Sequence, residues 1–558
     1  MSLNPGKKRA PRGALAGYGK ALIPERAPEW GVRDRRARAL LVASIGLLVG
    51  LLPFLLYLRT LAPGVMYYAR PDLLDAATLQ VHAATLGVTH PTGYPTWVLL
   101  THLFTYLPFG DAAYLTNLSS AVYSAAAVAL VYSAGLFLTR RVAAAAVGAL
   151  AFGLGATFWS QAVIAEVYNL NALFVALFFS VLLLWRHRVS QGRPADGYLL
   201  AASFVAGLAL TNHLTSGVLI PAGLAFVALV FPARLRDRRL LSRGAGLFLL
   251  GLTPYLYLPI RASMQPPLRE ADPGGLTSFL THVSGREVNG VLLGRSIGDL
   301  PERLALFAGS LQSHFGLLLG LAALGVLTLL VRDRPAAVLL GLPFVLWLAH
   351  VSVYDIPDLD LYFVPPYLAA ALFVCAGAGT LLQIFEAQTE GGPRRVRLAA
   401  VTCASAAMLL VAFAGLGGTY AAVDRSGDHR GREIIETVAE NAAPGATVLH
   451  NRSSLWYMVL IEERREDLTL LDPFIPERIT TYDLVWPDNL GPDEAEHLYS
   501  TGDISGVEAA GRAAERGPVY IVAQESASAA AFRRAGFEIV PVEEGILYRL
   551  VPPGEETG

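Results

Sequence analysis

Long apolar runs separated by short polar segments fill most of the chain between residues 39 and 420. Each run is close to the roughly 20 residues that a helix needs to cross a bilayer, so the pattern predicts about eleven membrane-spanning helices. They are expected at residues 39–58, 112–139, 142–164, 167–185, 197–212, 214–231, 243–260, 304–331, 336–353, 361–384 and 398–420.

Two further segments shape this membrane domain, residues 39–420. The apolar stretch 94–109 is short and contains Pro95 and Pro108. We therefore expect a helix that lies at the outer interface without crossing. It would belong to a large external loop, residues 60–111, and residues 261–303 would form a second one.

Arginines predict the orientation of the helices. They cluster at alternate junctions, and the positive-inside rule places such clusters in the cytoplasm. The clusters are Arg140 and Arg141, Arg186 and Arg188, Arg234 to Arg239, Arg332 and Arg334, and Arg394 to Arg397. Residues 1–38 then form a basic cytoplasmic tail, expected to be disordered. The C-terminal region would lie outside the cell membrane.

After Tyr420 the composition becomes that of a soluble domain, residues 421–558. Strands are expected at Ala446–His450, Leu468–Leu471 and Val519–Val522, and helices at Arg432–Glu440, Ser453–Arg465, Val507–Arg516 and Ser526–Ala535. Their alternation predicts a small extracytoplasmic α/β domain.

Composition excludes several kinds of protein and of chemistry. With 54% hydrophobic and 16% charged residues, the 558-residue chain is too apolar to be one soluble core. The only lysines are Lys7, Lys8 and Lys20, which excludes lysine chemistry elsewhere. Cys375 and Cys403 lie in apolar runs, so we expect packing residues and no disulfide or cysteine-zinc site. The net charge of −1 gives no indication of a nucleic-acid partner.

Polar residues gather at the ends of the apolar runs, and all these ends can be placed on one side of a membrane. An interfacial enzyme fits this asymmetry better than a channel or pump, because the middles of the predicted spans hold few ionisable groups. The residues are Asp72, Asp75, His90, Glu166, Asn212, His213, Arg261, Asp355, Asp358 and Asp360.

Asp72 and Asp75 are the candidate catalytic pair. In a helix they share a face, so one could deprotonate an acceptor while the other orients it or raises its pKa. The alternative is a pair of solvated loop acids beside Arg70. A rigid turn from His90 to Tyr94 and Pro95 favours a built site. Two carboxylates could hold a divalent cation, but we expect no metal cofactor.

The remaining polar positions each allow a structural reading as well. Glu166 follows an aromatic helix end that suits sugars or a membrane-interface belt. Asn212 and His213 form a tight turn. Arg261 on the outer side suits a lipid phosphate. Asp355 and Asp358 belong either to a ligand site or to a charged turn.

Together these segments resemble a known family in order as well as in type. The pattern is an acid pair, His90-Pro-Thr-Gly-Tyr-Pro95, Phe158-Trp-Ser-Gln161, Glu166-Val-Tyr-Asn-Leu-Asn171, Thr211-Asn-His213 and Pro254-Tyr-Leu-Tyr-Leu-Pro-Ile-Arg261. It resembles bacterial membrane proteins related to the transmembrane-protein-260 type of protein O-mannosyltransferase, in the GT-C glycosyltransferase superfamily. The resemblance covers about residues 40 to 380.

The resemblance implies a polytopic helical GT-C-like fold and transfer of a sugar from a polyprenyl-phosphate donor to a protein or glycan hydroxyl on the outer face. It implies catalysis by Asp72 and Asp75, where the family more often has Glu in the second position. Substrate binding would fall to His90, Tyr94, Glu166, Asn212, His213 and Arg261. Asp355 and Asp358, outside the matching motifs, are added as candidate binding residues because their loop offers carboxylates. The partners would be the lipid-linked donor, the acceptor and membrane lipids, with no nucleic acid.

Two other classes stay open. A transporter or lipid flippase is also polytopic, but it normally carries ionisable groups near the bilayer midplane, where His314 is the clearest candidate here. A non-catalytic scaffold that presents the C-terminal domain would not require polar residues clustered in the loops.

Overall fold

The computed structural model describes residues 35–67, 75–286, 297–354, 356, 358–450, 453–471, 505–522 and 532–554. Two of the predicted site residues, Asp72 and Asp355, lie outside these ranges.

All the apolar segments expected to cross the membrane are helical. The helices up to residue 423 are α1 (Arg35–Thr60), α2 (Ala76–Thr85), α3 (Pro95–His102), α4 (Ala112–Thr139), α5 (Val142–Gly153), α6 (Ala156–Ala162), α7 (Tyr168–Ser190), α8 (Asp196–Asn212), α9 (Leu219–Val230), α10 (Arg238–Gly251), α11 (Tyr257–Ser263), α12 (Leu276–Val283), α13 (Leu300–Phe315), α14 (Leu319–Arg332), α15 (Arg334–Val353), α16 (Val364–Gln388), α17 (Arg394–Phe413) and α18 (Leu416–Val423).

Length and composition support a multi-pass membrane protein. Among the described residues, eight helical segments are long and apolar enough to cross a bilayer. A ninth is possible if α5 and α6, which are bent by 67°, form one broken span. The other two expected spans are shorter helices, Asp196–Asn212 and Leu214–Val230.

The segment 94–109 forms α3 and a 3-10 turn, Leu103–Tyr106. Its eight-residue α-helix is about 12 Å long, far less than the roughly 30 Å of the hydrocarbon core. Trp97 anchors it to the bundle, because its Nε1 donates a hydrogen bond to the carbonyl of Glu166 at 2.9 Å.

Helices α14 and α16 cross with their backbones almost in contact at two glycines. A Cβ placed on Gly377 would lie 1.8 Å from the carbonyl oxygen of Leu321, and one on Gly325 would lie 1.9 Å from that of Phe373. Small residues are favoured at such crossings because they let two helices approach closely. This contact therefore depends on glycine at both positions.

Ion pairs gather at one end of the bundle, which we call the arginine end. Arg141 follows α4 and pairs with Glu386 near the end of α16 at 2.5 Å. Arg186, near the end of α7, pairs with Asp333 between α14 and α15 at 2.6 Å. The ends that bear Asp75, Glu166, His213 and Asp358 are at the opposite side, which we call the polar-loop end. The bundle thus has two chemically different ends.

A five-stranded sheet follows the bundle, with strand order β2-β1-β3-β5-β4. Strands β1 (Thr447–Leu449), β2 (Thr469–Leu471) and β3 (Val519–Val522) are parallel, and all three were predicted. The antiparallel strands β4 (Glu538–Glu543) and β5 (Leu547–Val551) were not. Strand β4 is largely exposed at the sheet edge and contains a proline, so it lacks the apolar alternation of a buried strand.

The helices beside the sheet are α19 (Arg430–Asn441), α20 (Leu455–Leu460) and α21 (Ser505–Ala514). The helix predicted at Ser453–Arg465 is much shorter, because the chain turns out of it near Ile461. Of the helix expected at Ser526–Ala535, the part before Phe532 lies outside the described residues. Cys375 is buried as predicted, but the interpretation of Cys403 as a packing residue is wrong, because it is exposed on α17.

The C-terminal domain, which contains the sheet, packs against the polar-loop end. Arg425 N donates to the carbonyl of Thr60 at 3.0 Å, and a Cβ on Gly431 would lie 2.2 Å from the carbonyl oxygen of Val65. One hydrophobic cluster contains Val81 of α2, Leu268 of the second loop and Trp456 of the C-terminal domain. Both large loops and the C-terminal domain are therefore built around α2.

Replacing Gly377 should test the helix crossing. We expect Gly377→Ala to lower the free energy of unfolding by about 1–3 kcal/mol, because the new methyl group would overlap the Leu321 carbonyl. Thermal unfolding of the detergent-solubilised protein measures the effect. In Gly320→Ala the added Cβ meets nothing within 4 Å, so this control should be neutral. Equal stability of the two variants would contradict the crossing.

Candidate functional site

Asp75 is the N-cap residue of α2 and is partly exposed. Its carbonyl accepts the first helical hydrogen bond, from Leu79 N at 2.8 Å, but its side chain makes no capping hydrogen bond. The Oδ2 atom lies 3.5 Å from His90 Nε2. A carboxylate at a helix N-terminus is also stabilised by the helix dipole. The chain thus presents a carboxyl group beside an imidazole.

The turn between His90 and Tyr94 brings the imidazole to Asp75. Gly93 N donates to the carbonyl of His90 at 2.8 Å, and Gly93 has a φ of 90°. A Cβ at this position would lie 2.8 Å from Leu258 Cδ1, so conformation and space both require glycine. Tyr94 also has a positive φ, 38°, immediately before α3. The predicted turn is present and folds back on the start of α2.

Two residues that sequence reasoning missed extend this pair. Glu270 Oε2 lies 3.7 Å from His90 Nδ1, and Glu270 Oε1 lies 2.8 Å from His82 Nε2. His82 is seven residues after Asp75 on α2, a spacing that places both on one helical face. That spacing could have identified His82. Glu270 had no such signal, because it stands in a charged loop segment far away along the chain.

An aromatic cluster lies next to the imidazole. The Tyr94 ring packs edge-on against His90 at 5.2 Å and is stacked near His213 at 6.1 Å. His213 also contacts Tyr168 at 5.6 Å and Tyr362 at 5.5 Å between ring centroids. Burial lowers the pKa of His213 to about 3, with a further contribution from His350. His213 is therefore neutral and unsuited to be a cation.

Asp358 is nearly buried beside the aromatic cluster. Its Oδ2 accepts a hydrogen bond from the Tyr168 hydroxyl at 3.3 Å, and its Oδ1 is buried with no partner among the described residues. Burial, followed by the charge of Asp75, raises the pKa of Asp358 to about 7. The two carboxylates are thus electrostatic neighbours, and Asp358 can carry or release a proton near neutral pH.

Glu166 and Asn212 brace the start of α7. Glu166 is buried and its Oε2 accepts from Val167 N at 3.2 Å, while Asn212 Nδ2 donates to the carbonyl of Val167 at 3.3 Å. Burial raises the pKa of Tyr94, with smaller contributions from Asp75, Tyr354, Glu166 and Asp358. The charge of Glu166 therefore also acts on this site. Asn212 Oδ1 is a buried acceptor with no partner in the described part of the chain.

Arg261 lies at the other end of α2 from Asp75. Its Nε donates to the carbonyl of Leu86 at 2.7 Å and its Nη2 to that of Thr85 at 3.0 Å. The ten residues of α2 separate these carbonyls from Asp75 by about 15 Å along the helix axis. Arg261 therefore holds the C-terminal end of α2, and its expected contact with phosphate stays a prediction.

The structure thus brings most of the predicted site residues together. One region contains Asp75, His90, Tyr94, His213, Glu166 and Asp358. Asn212 supports it through the start of α7, and Arg261 contacts the far end of α2. No group of three or more His, Cys, Asp or Glu residues within the described ranges is arranged to hold a metal ion. Because Asp72 lies outside those ranges, metal independence stays a prediction.

Residues 75–234 match the family model of the protein O-mannosyl-transferase TMEM260 N-terminal domain. The chain is 30% identical over 228 residues to protein O-mannosyl-transferase TMEM260 of Mus musculus, a match that covers 40% of this chain and 32% of that protein. It is 26% identical over 275 residues to the Dictyostelium discoideum protein, covering 46% and 33%. The expected relation is confirmed, although the match spans only about a third of each relative.

Solved structures show the same fold. ArnT from Cupriavidus metallidurans bound to undecaprenyl phosphate superposes with a TM-score of 0.55 at 14% identity, over 93% of this chain and 98% of that one. The apo oligosaccharyltransferase of Archaeoglobus fulgidus gives 0.51 at 13% identity, over 86% and 69%. The predicted fold class, a polytopic helical GT-C-like protein with a small C-terminal α/β part, is confirmed.

The pKa of Asp358 predicts a pH dependence of stability. Between its ordinary value of 3.8 and about 7, folded Asp358 keeps a proton that the unfolded chain releases. The tighter binding of this proton in the folded state stabilises the protein at low pH. That part of the free energy of unfolding is lost as pH rises from about 3.8 to about 7. We expect the Tm of Asp358→Asn to fall less from pH 5 to pH 8 than the wild-type Tm. Asp424→Asn, outside the site, should retain the wild-type dependence. A wild-type slope in Asp358→Asn would contradict the assignment.

Proposed function

We propose that this protein is a membrane glycosyltransferase that moves a sugar from a polyprenyl-phosphate-linked donor to a hydroxyl group of a protein or glycan. One observation carries the proposal: the Asp75 carboxylate stands beside His90 and within the electrostatic reach of Asp358, at the polar-loop end of a membrane bundle. Support comes from relatives named protein O-mannosyl-transferases and from an ArnT structure bound to undecaprenyl phosphate.

The carboxylate at Asp75 suits the role of general base. In the proposed step it takes the proton of the acceptor hydroxyl while that oxygen bonds to the anomeric carbon of the sugar. The bond from this carbon to the phosphate oxygen breaks on the opposite face, and the polyprenyl phosphate leaves with the electron pair. Asp72, predicted from the sequence as its partner, would orient the acceptor or share this role.

The aromatic cluster suits a sugar. Tyrosine presents a flat apolar face together with a hydroxyl group, so Tyr94, Tyr168 and Tyr362 combine surfaces for the sugar ring with polar contacts. Asp358 has one carboxyl oxygen without a protein partner in the described chain, and Asn212 has one such amide oxygen. We infer that these groups bind hydroxyls of the donor sugar.

The leaving phosphate requires a cation close to the base, because both act at one carbon atom of the sugar. His90 meets this constraint at 3.5 Å from Asp75. Because its two ring nitrogens each face a carboxylate, we assign it to the phosphate as a nearby positive charge and not as a hydrogen-bond donor. Arg261 lies near the far end of α2. Its Nε and Nη2 donate to backbone carbonyls, but its Nη1, 3.8 Å from Met264 Sδ, donates to no backbone carbonyl of the described residues. We assign this nitrogen to the phosphate of a neighbouring membrane lipid, since the donor's own phosphate must stay near His90.

The two ends of the bundle support an orientation in the membrane. Arginines concentrate at the end opposite the site, and such residues favour the cytoplasmic side. The N-terminal tail would then be cytoplasmic, and the site and the C-terminal domain extracytoplasmic, in the plasma membrane. An acceptor would approach Asp75 from outside the cell while the donor arrives from the outer leaflet.

Removing the charge of Asp75 should abolish most of the transfer. A positioned general base contributes about 10²–10⁴-fold, and Asp75→Asn keeps the shape of the side chain while losing its basicity. We expect sugar transfer to fall by that order with membrane expression unchanged. The measurement is release of polyprenyl phosphate from a labelled lipid-linked sugar in membranes. We expect the same for Asp72→Asn if the pair acts together.

Asp111→Asn is the matched control for this experiment. Asp111 lies in the same loop and caps α4, its Oδ1 accepting from Tyr114 N at 2.7 Å, and asparagine preserves that cap. This variant should transfer sugar at the wild-type rate. Full activity in Asp75→Asn and in Asp72→Asn would refute the proposed base.

The orientation predicts which introduced cysteines an impermeant thiol reagent can reach. In a Cys403→Ser background, Ser426→Cys should be labelled in intact cells, because Ser426 is exposed on the side of the C-terminal domain. Ser190→Cys, exposed at the arginine end, should be labelled only after permeabilisation. The opposite pattern would invert the topology and remove the site from the outer face.

A further inference from the structure

The second loop is joined to the first by backbone hydrogen bonds close to His90. Val88 N donates to the carbonyl of Leu268 at 3.3 Å, and Glu270 N donates to that of Val88 at 2.8 Å, forming a short parallel bridge. The contact is tight, since a Cβ on Gly87 would lie 2.6 Å from the Leu268 carbonyl and 2.3 Å from His82 Nδ1. This bridge fixes the backbone of Glu270 relative to α2.

From that backbone, the Glu270 carboxylate reaches the site between two imidazoles. His82 Nε2 lies 2.8 Å from Oε1, within hydrogen-bond distance, and His90 Nδ1 lies 3.7 Å from Oε2. His90 Nε2 faces Asp75 Oδ2 at 3.5 Å. The four side chains form a row from the core to the surface: His82 and Glu270 are 0% and 1% exposed, and His90 and Asp75 are 19% and 20% exposed.

We propose that Glu270 is a positioning residue for the transfer reaction, which holds the His90 ring in its orientation between Glu270 and Asp75. The inference rests on the proposed function for its role in catalysis. The dependence of His90 on the charge of Glu270 does not rest on the proposed function.

The geometry explains why a buried glutamate is suited to this task. Hydrogen bonding to His82 fixes one carboxylate oxygen, and the bridge at Val88 fixes the backbone, so the direction of the second oxygen is set. At 3.7 Å this oxygen acts on His90 mainly through charge, because the distance exceeds that of a hydrogen bond. Such contacts can tighten when substrate binds. A carboxylate so placed favours the protonated form of the ring and keeps Nε2 directed at Asp75.

Glu270→Gln tests the proposal, because glutamine can still bond to His82 but lacks the charge that faces His90. Diethyl pyrocarbonate, which modifies neutral imidazole, reports His90 independently of sugar transfer when followed by mass spectrometry. Asp75, Glu270 and Tyr94 face this ring. We expect the midpoint pH of His90 modification in the full-length protein to fall by about one unit in Glu270→Gln. We also expect kcat to fall by about tenfold with KM for the lipid donor unchanged.

Glu302→Gln is the matched control, since Glu302 is exposed in the first turn of α13. It should leave the midpoint and kcat as in the wild type. An unchanged His90 midpoint in Glu270→Gln overturns the inference, whether or not transfer is detected. If the wild-type protein shows no transferase activity, the proposed function is refuted. A shifted His90 midpoint in Glu270→Gln would then still support the coupling of Glu270 to His90.

Glu270→Asp provides the second variant if Glu270→Gln does not give a folded, monodisperse protein. It keeps the negative charge but moves it away from His90 by one methylene group. We expect a midpoint shift in the same direction and smaller than one unit, with kcat closer to the wild-type value. No shift in this folded variant would overturn the inference.

Discussion

The lack of water in a bilayer governs the distribution of chemistry in this protein. An ionisable group inside the hydrocarbon core is costly, so the charged side chains gather where the helices end. Arginine pairs such as Arg141–Glu386 and Arg186–Asp333 occupy one end. The other end holds Asp75, His90 and Asp358, where the proposed lipid-linked donor would keep its phosphate and sugar. The cost of placing charge in the bilayer thus separates the arginine end, which holds ion pairs, from the polar-loop end, which holds the candidate site.

At the polar-loop end, the short helix α2 connects the parts of the candidate site. Asp75 is its N-cap residue, His82 lies in its last turn, and Arg261 binds the carbonyls at its end. The C-terminal domain covers α2 through a cluster that includes Val81 and Trp456. A change in the packing of either large loop or of the C-terminal domain therefore acts on the same carboxylate, that of Asp75, which gives the C-terminal domain a structural role in the candidate site.

Much of the fold could be predicted because it depends on local patterns. Helix lengths follow from apolar runs, and the parallel strands β1 to β3 follow from short buried segments. The edge strand β4 could not be predicted in this way, because its exposed residues and its proline carry no apolar alternation. The crossing at Gly325 and Gly377 was also invisible, since a glycine in an apolar helix gives no sign of which neighbour it meets.

The sequence by itself determined which chemical groups the protein has at its helix ends, and the turn residues Gly93 and Tyr94 indicated that His90 folds back. Only the tertiary structure decided which of these groups meet. Glu270 and Asp75 are far apart along the chain, and Arg261, expected only to lie on the outer side, contacts the far end of α2. Contacts between distant segments depend on how loops pack against one another, and that packing leaves no periodic signal in the residues that make the contact.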